Sequence, residues 1–116
     1  FFSFCNINQT IDSLFIESYI DKYYLGEPAL SFYIEDGDEK ILFDTGYSHV
    51  FLDNAEKMGI DLGLVDTVVL SHGHNDHTRG LKYILPMKNT ALVAHPDCFN
   101  KKYEGDGTYI GADYTL

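Results

Sequence analysis

The segment VVLSHGHNDHTRGL, residues 68–81, joins an apolar run to three histidines and one aspartate at positions 72–77. The β-branched stretch DTVVL (66–70) that leads into the cluster predicts a short buried strand. Polar side chains that directly follow such a strand are held on a rigid root, so their directions are defined. The segment therefore predicts a functional loop at the end of a sheet strand.

The side chains of this loop have the spacing of metal ligands. His72 and His74 are two residues apart, so both project to the same side of an extended chain, and Asp76 and His77 follow directly. Neutral imidazole nitrogens and carboxylate oxygens suit Zn²⁺, and also Mn²⁺ or Fe²⁺. The alternative is that the histidines are solvated or hydrogen-bonded to the backbone. Four possible ligands within six residues favour the metal site.

The rest of the chain predicts an α/β domain with a mixed sheet. An acidic Asp-Gly turn between two strands indicates a hairpin, and apolar residues at helical spacing indicate a helix that ends at Gly59. Pro96 suits the first turn of a further helix. The predicted strands cover 30–35, 40–44, 66–70 and 90–95, the predicted helices cover about 48–58, 78–85 and 96–103, and the tail 104–116 is a loop with at most one more short strand.

The composition is that of one globular domain spanning residues 1–116, with 45% hydrophobic and 22% charged residues. A formal net charge of −10 argues against nucleic acid or a membrane as the partner and favours a small-molecule substrate. Cys5 and Cys98 are far apart and suit a reducing cytoplasm, with each a buried apolar residue. The N-terminal FFSFC is too short, and lacks the basic flank, for a signal peptide or a membrane span. A cytoplasmic location is expected.

Two motifs resemble those of a known family. HGHNDH (72–77) matches the HxHxDH signature of the metallo-β-lactamase superfamily, and ILFDTG (41–46) matches the strand and DTG element that precedes this signature. The resemblance runs from Tyr24 to Phe99. Within the superfamily, this segment is similar to the branch of the dihydropterin ribofuranosyl-aminobenzene phosphate synthases. It implies half of an αββα sandwich, in which a mixed β-sheet carries helices on one face.

The resemblance also implies a role for each residue of the loop. His72 and His74 would bind a first metal ion, and Asp76 and His77 would bind a second. Asp76 would in addition be the catalytic residue that orients the nucleophile. Asp44 of ILFDTG would accept a hydrogen bond from a ligand, a role that its place at the end of an apolar strand also allows. On local sequence alone, the alternative is that Asp44 is an ordinary turn residue, which the sequence favours less.

Two further residues are possible substrate contacts. Arg79 stands where the family usually has a small residue, so it either meets an anionic substrate group or lies on the surface. His95 ends a predicted strand, so it either faces the same cleft or caps the turn before Pro96.

The expected function is that of a metal-dependent hydrolase, in which a metal-bound hydroxide attacks an ester, amide or phosphate centre. The superfamily fold is usually about twice this length, and its remaining metal ligands come from a second half. No histidine follows His95, so the chain is expected to be the N-terminal half: either a fragment or truncated gene product, or a half that a homodimer or a partner chain completes. The alternative function is a non-catalytic metal-binding or interaction module that retains half of the dinuclear site.

Overall fold

A computed structural model describes residues 2–3, 24–85 and 90–113 of the chain. These residues form five strands, three short α-helices and two 3₁₀ helices. The strands are β1 (Phe2–Ser3), β2 (Phe32–Asp36), β3 (Glu39–Phe43), β4 (Thr67–Val69) and β5 (Ala91–Val93); the α-helices are α1 (Val50–Lys57), α2 (Asn75–Thr78) and α3 (Leu81–Ile84); the 3₁₀ helices are Leu62–Leu64 and Pro96–Phe99.

The five strands form one mixed sheet in the order β1-β2-β3-β4-β5. The pairs β1–β2 and β2–β3 are antiparallel, whereas the pairs β3–β4 and β4–β5 are parallel. The predicted hairpin is confirmed, with Gly37 at a φ of 59° in its turn. Because β3 and β4 are parallel, their carboxyl ends meet at one edge of the sheet, and the segments that follow them lie side by side.

One face of the sheet carries the core. Tyr33, Leu42, Val68 and Leu92 lie side by side in the strand register, and the first three are almost completely buried. Buried residues of the helices join them in one cluster. Cys98 belongs to this cluster, which confirms its prediction as a buried apolar residue. Cys5 lies outside the described residues. The cluster also contains Val50, Phe51, Ala55, Leu81 and Ile84. The mixed sheet with helices is therefore confirmed.

The predicted end of the first helix is confirmed by its hydrogen bonds. Gly59 adopts a φ of 72°, and its N–H donates to the Glu56 carbonyl while the Ile60 N–H donates to the Ala55 carbonyl. This pair of bonds is a Schellman motif, which satisfies carbonyls that would otherwise lack a partner at a helix end. It also brings Ile60 against the core.

Two predictions of local structure were wrong in detail, whereas the prediction of a loop for the tail agrees with its described part. The helix predicted over 96–103 is a 3₁₀ helix, Pro96–Phe99, because the chain becomes extended at Asn100. The helix predicted over 78–85 is two separate turns, α2 and α3, and α2 begins earlier because the loop carrying Asp76 and His77 is itself helical. In the described part of the tail, only isolated bridges form, between His74 and Gly111 and between Tyr103 and Tyr109.

No helix among the described residues is both long and apolar enough to cross a membrane.

Candidate metal centre

The histidine cluster begins directly after β4, as predicted. The chain stays extended to His74, which precedes α2 with φ −79° and ψ 152°, and then turns into that helix. The Leu70 N–H donates to the Val93 carbonyl, and the Asn75 N–H donates to the Ile110 carbonyl. The loop is therefore fixed at both ends by neighbouring segments, so its side chains have defined positions.

The side-chain donor atoms of the loop are grouped in two close pairs. Nε2 of His72 lies 3.2 Å from Nδ1 of His74, and Nε2 of His77 lies 3.5 Å from Oδ2 of Asp76. One donor atom each of His72, Asp76 and His77 also lies within 4.8 Å of the others. Two ligands on one tetrahedral Zn²⁺, each about 2.0–2.1 Å from the ion, are about 3.3 Å apart. Both pairs have the separation that a shared ion requires, so the donor set fits a divalent metal.

Asp44 is the partner that orients His77. Its side chain is completely buried at the end of β3, and its Oδ2 accepts a hydrogen bond from Nδ1 of His77 at 2.7 Å. Since a carboxylate only accepts, Nδ1 carries the proton and Nε2 presents its lone pair toward Asp76. Asp44 also has a φ of 59°, a left-handed conformation that Asp tolerates better than most residues.

Ser71 extends this hydrogen-bond network to a second histidine. The Ser71 N–H and hydroxyl both donate to the Asp44 carboxylate, at 2.8 and 2.6 Å. With its proton directed at Asp44, the Ser71 oxygen accepts from Nδ1 of His72, 2.9 Å away. Nε2 of His72 is thereby left unprotonated, so it accepts from Nδ1 of His74, and its lone pair is the one that a metal would take in place of that hydrogen bond. One buried carboxylate thus selects the ring tautomer of both His72 and His77.

The two oriented imidazoles differ in their pKa. Burial alone lowers the pKa of His77, but the hydrogen bond and the negative charge of Asp44 outweigh it, with a smaller contribution from Asp76, so the net shift is upward. Burial lowers the pKa of His72, and the nearby His77 and His74 lower it further. His72 is therefore neutral over a wider pH range than His77 is.

Thr45 and two glycines hold the loop against its surroundings. The Thr45 N–H and hydroxyl both donate to the carbonyl of His77, at 2.8 and 3.0 Å. A Cβ atom on Gly80 would overlap the carbonyl oxygen of Thr45 and lie 2.6 Å from the Phe51 ring. A Cβ atom on Gly73 would overlap the carbonyl group of Cys98. These close backbone approaches fix the height of the loop above the sheet.

Sequence reasoning did not identify Ser71 and Thr45 as parts of this site. Each lies beside a predicted site residue, Ser71 before His72 and Thr45 after Asp44. Their positions next to the HGHNDH and ILFDTG motifs were the only sequence feature that could have identified these two residues. The hydrogen bonds that give the two residues their roles join segments 27 and 32 residues apart, and no local pattern encodes these bonds.

Arg79 directly follows α2, the helix in which the cluster ends, whereas His95 is exposed and lies in another segment. Arg79 lies one turn after Asn75, and its guanidinium stacks on the Tyr47 ring at 4.4 Å. The His95 side chain is 74% exposed and accepts a hydrogen bond from the Asp97 N–H, which caps the following 3₁₀ helix. His95 does not belong to the group of close donor atoms.

Asp44→Asn is expected to weaken metal binding by about 10- to 100-fold, because the amide removes the charge and one acceptor from the network that orients His72 and His77. Competition with a chromogenic chelator measures the affinity. Asp66→Asn is the matched control, since Asp66 is an exposed carboxylate whose Oδ2 accepts a backbone hydrogen bond from Lys40. Equal affinities in the two variants would contradict an orienting role for Asp44.

The chain belongs to the metallo-β-lactamase superfamily. The family model of that description matches residues 25–98, which include the strand before Asp44 and the whole histidine cluster. The match agrees with the resemblance of the HxHxDH and DTG motifs.

Curated relatives support the assignment. The chain is 37% identical over 94 residues to an uncharacterized protein of Methanocaldococcus jannaschii, a match that covers 79% of this chain and 36% of the relative. It is 34% identical over 94 residues to the 7,8-dihydropterin-6-methyl-4-(beta-D-ribofuranosyl)-aminobenzene-5'-phosphate synthase of the same organism, covering 75% and 32%. A probable metallo-hydrolase of Bacillus subtilis is 31% identical over 68 residues, covering 59% and 30%. The chain thus spans about a third of the length of these relatives.

Solved structures share the fold. The Rm3 metallo-beta-lactamase has a TM-score of 0.51 and 25% sequence identity, over 59% of this chain and 26% of that one. The subclass B3 metallo-beta-lactamase BJP-1 of Bradyrhizobium japonicum has a TM-score of 0.57 and 22% identity, over 76% of this chain and 39% of that one. At these identities the likeness supports the architecture of the sheet and helices.

Proposed function

We propose that this chain carries the metal-binding half of a hydrolase. The observation that supports the proposal best is the pairing of donor atoms, His72 with His74 and Asp76 with His77, at the separation of ligands on one ion. Nitrogen and carboxylate donors without cysteine favour Zn²⁺, with Mn²⁺ or Fe²⁺ as alternatives. A divalent ion held there supplies Lewis-acid chemistry, which lowers the barrier for attack by water on an ester, amide or phosphate centre.

The residues of the chain have separate tasks in this proposal. His72 and His74 hold one ion and His77, with Asp76, holds a second, while Asp44 keeps His77 in the ligating tautomer. Asp76 acts both as a ligand and as the acceptor for a proton of the attacking water, because its carboxylate lies beside Nε2 of His77 and remains partly exposed.

A non-catalytic metal-binding module is the second candidate. The observation that favours it is the origin of the grouped donor atoms, which within the described residues all come from the single segment 72–77. A metal bound by one segment keeps several positions for water, and such a site binds more weakly than a closed one.

Metal analysis followed by an activity panel separates the two candidates. The purified chain is loaded with Zn²⁺, Mn²⁺ or Fe²⁺ and offered a phosphodiester, a thioester and a lactam. Metal-dependent turnover that His77→Ala abolishes supports the hydrolase. Bound metal without turnover supports the module, and a chain that retains no metal contradicts both.

Zn²⁺ affinity is expected to fall as the pH drops from 7.5 to 5, because only neutral imidazoles ligate a metal. The raised pKa of His77 means that this residue takes up a proton at a higher pH than an ordinary imidazole, so the loss begins there. The lowered pKa of His72 delays its protonation. Chelator competition between pH 7.5 and 5 measures the change, and an unchanged affinity over this range would contradict histidine ligation.

The second face of the sheet supports the proposal that the chain associates with a copy of itself. Phe32, Phe43, Val69 and Val93 lie side by side on this face in the strand register, and Val93 is 53% exposed. Apolar patches larger than a few hundred Å² are uncommon on monomers. A second copy placed sheet to sheet would cover these residues.

Val93→Lys is expected to shift the chain from dimer to monomer, because the added charge would be buried in the sheet interface. Leu64→Lys is the control, since Leu64 is exposed to a similar extent, 51%, but lies in a 3₁₀ helix. Light scattering at micromolar concentration measures the mass. A monomeric wild-type chain would contradict the proposed dimer.

A further inference from the structure

A small polar cavity adjoins the candidate metal centre. Its volume is about 170 Å³, and its walls come from the start of the α1 segment, from α2 and from the tail: Tyr47, Asn75, Arg79, Tyr109, Gly111 and Asp113. Sites for whole small molecules are usually about 300–1,000 Å³. The cavity therefore has room for one functional group of a larger molecule. Asn75 directly precedes Asp76 in α2, so the cavity and the metal centre share this helix.

Among the described residues that line the cavity, Arg79 is the only one with a cationic side chain. Its guanidinium is held over the Tyr47 ring at 4.4 Å, a contact that fixes the plane of the group. Its Nε is buried, and among the described residues no acceptor is within hydrogen-bonding distance of this atom. A buried N–H without a partner costs about 1–3 kcal/mol, so an acceptor placed there would be favourable.

Asp113 occupies the neighbouring position, at Nη2 of the same guanidinium. Its Oδ2 lies 3.3 Å from Nη2 of Arg79, and its side chain is 58% exposed. Exposed ion pairs of this kind contribute about 0–1 kcal/mol, so an incoming anion can replace the Asp113 carboxylate at little cost. The contact also shows that the guanidinium faces a point where a carboxylate fits.

We propose that this cavity is an anion-binding subsite, in which Arg79 receives a carboxylate or phosphate group of a small molecule and Asp113 is displaced. The planar fork of the guanidinium donates two hydrogen bonds to such a group, which a single ammonium does not. The net charge of −10 repels anions from most of the surface, so selective binding depends on this local cation. The reading of the group as part of a substrate rests on the proposed function.

Titration of the 116-residue chain with inorganic phosphate and with acetate tests the proposal, in the metal-free and in the Zn²⁺-loaded protein. The Nε–Hε resonance of Arg79 reports the contact directly, and the titration gives Kd. Arg79→Lys is expected to weaken binding at least about tenfold. Asp113→Asn is expected to tighten it about threefold by removing the competing carboxylate. Lys82→Ala, which removes an equal charge at an exposed position of α3, is expected to leave Kd unchanged.

Comparison of the Kd values of phosphate and acetate identifies the group that the subsite binds, since the anion with the lower Kd has the preferred chemistry. Equal Kd values in the wild type and Arg79→Lys, or no effect of Asp113→Asn, would overturn the proposal. The proposal would also be overturned if neither phosphate nor acetate bound. Because the titration of the metal-free protein involves no hydrolysis, its outcome does not depend on whether the chain is an enzyme.

Discussion

Replacing His72 or His74 with Ala is expected to remove most of the bound metal, whereas His95→Ala leaves the metal content unchanged. The rings of His72 and His74 present donor atoms 3.2 Å apart. Removal of either ring replaces one of two protein ligands with water, which lowers the affinity for the ion. His95 is 74% exposed, and its Nδ1 accepts a hydrogen bond from the Asp97 N–H.

Elemental analysis after dialysis against a weak chelator measures the metal content of the three variants. Circular dichroism of each variant serves as the control for folding. Equal metal content in all three proteins would refute the assignment of His72 and His74 as ligands. Loss of metal in His95→Ala alone would place the metal site at His95 and not at the loop 72–77.

Gly73→Ala is expected to lower the free energy of unfolding by at least about 3 kcal/mol, and to weaken metal binding with it. The added methyl group would overlap the Cys98 carbonyl, 2.6 Å from its carbon and 2.7 Å from the Cys98 Cα. These are backbone atoms, and Cys98 itself is buried, so they cannot move aside as the end of a flexible side chain can. Either the loop or the 3₁₀ helix Pro96–Phe99 must shift.

Urea unfolding of the metal-free protein measures this destabilisation as a lower midpoint at constant slope. Gly105→Ala is the matched control, because a Cβ atom there meets nothing within 4 Å. Similar midpoints for the two variants would show that the close approach of the loop to Cys98 is not maintained in solution. A loss of metal affinity in Gly73→Ala without loss of stability would place the effect on the loop alone.

Much of the fold was predictable because it depends on local patterns. Alternating and β-branched apolar runs predicted β2 to β5, and the Asp-Gly turn predicted the hairpin. Gly59 predicted the end of α1 because a left-handed residue is needed there. The helix over 96–103 was not predicted correctly, since the Lys102 ammonium donates to the carbonyls of Asp97, Cys98 and Asn100, contacts that replace helical hydrogen bonds.

The candidate site was predictable to the extent that it lies in one segment. His72, His74, Asp76 and His77 stand at ligand spacing in the sequence, and the structure brings their donor atoms together in pairs. Asp44 was predicted as a partner from its position at a strand end, and it does accept a hydrogen bond from His77. That Asp44 reaches His72 through Ser71 was not predictable, because that hydroxyl had several possible acceptors.

The sequence by itself determined the ligand types, their spacing and the strands that lead to them, because each is a property of neighbouring residues. Only the tertiary structure decided which distant groups meet at the loop. Asp44 and His77 are 33 residues apart, and Gly73 packs on Cys98 of another segment. The Arg79 guanidinium meets Asp113 in the same way. Contacts of this kind depend on how the parallel strands align and how the segments after them pack, and no period in the sequence records either.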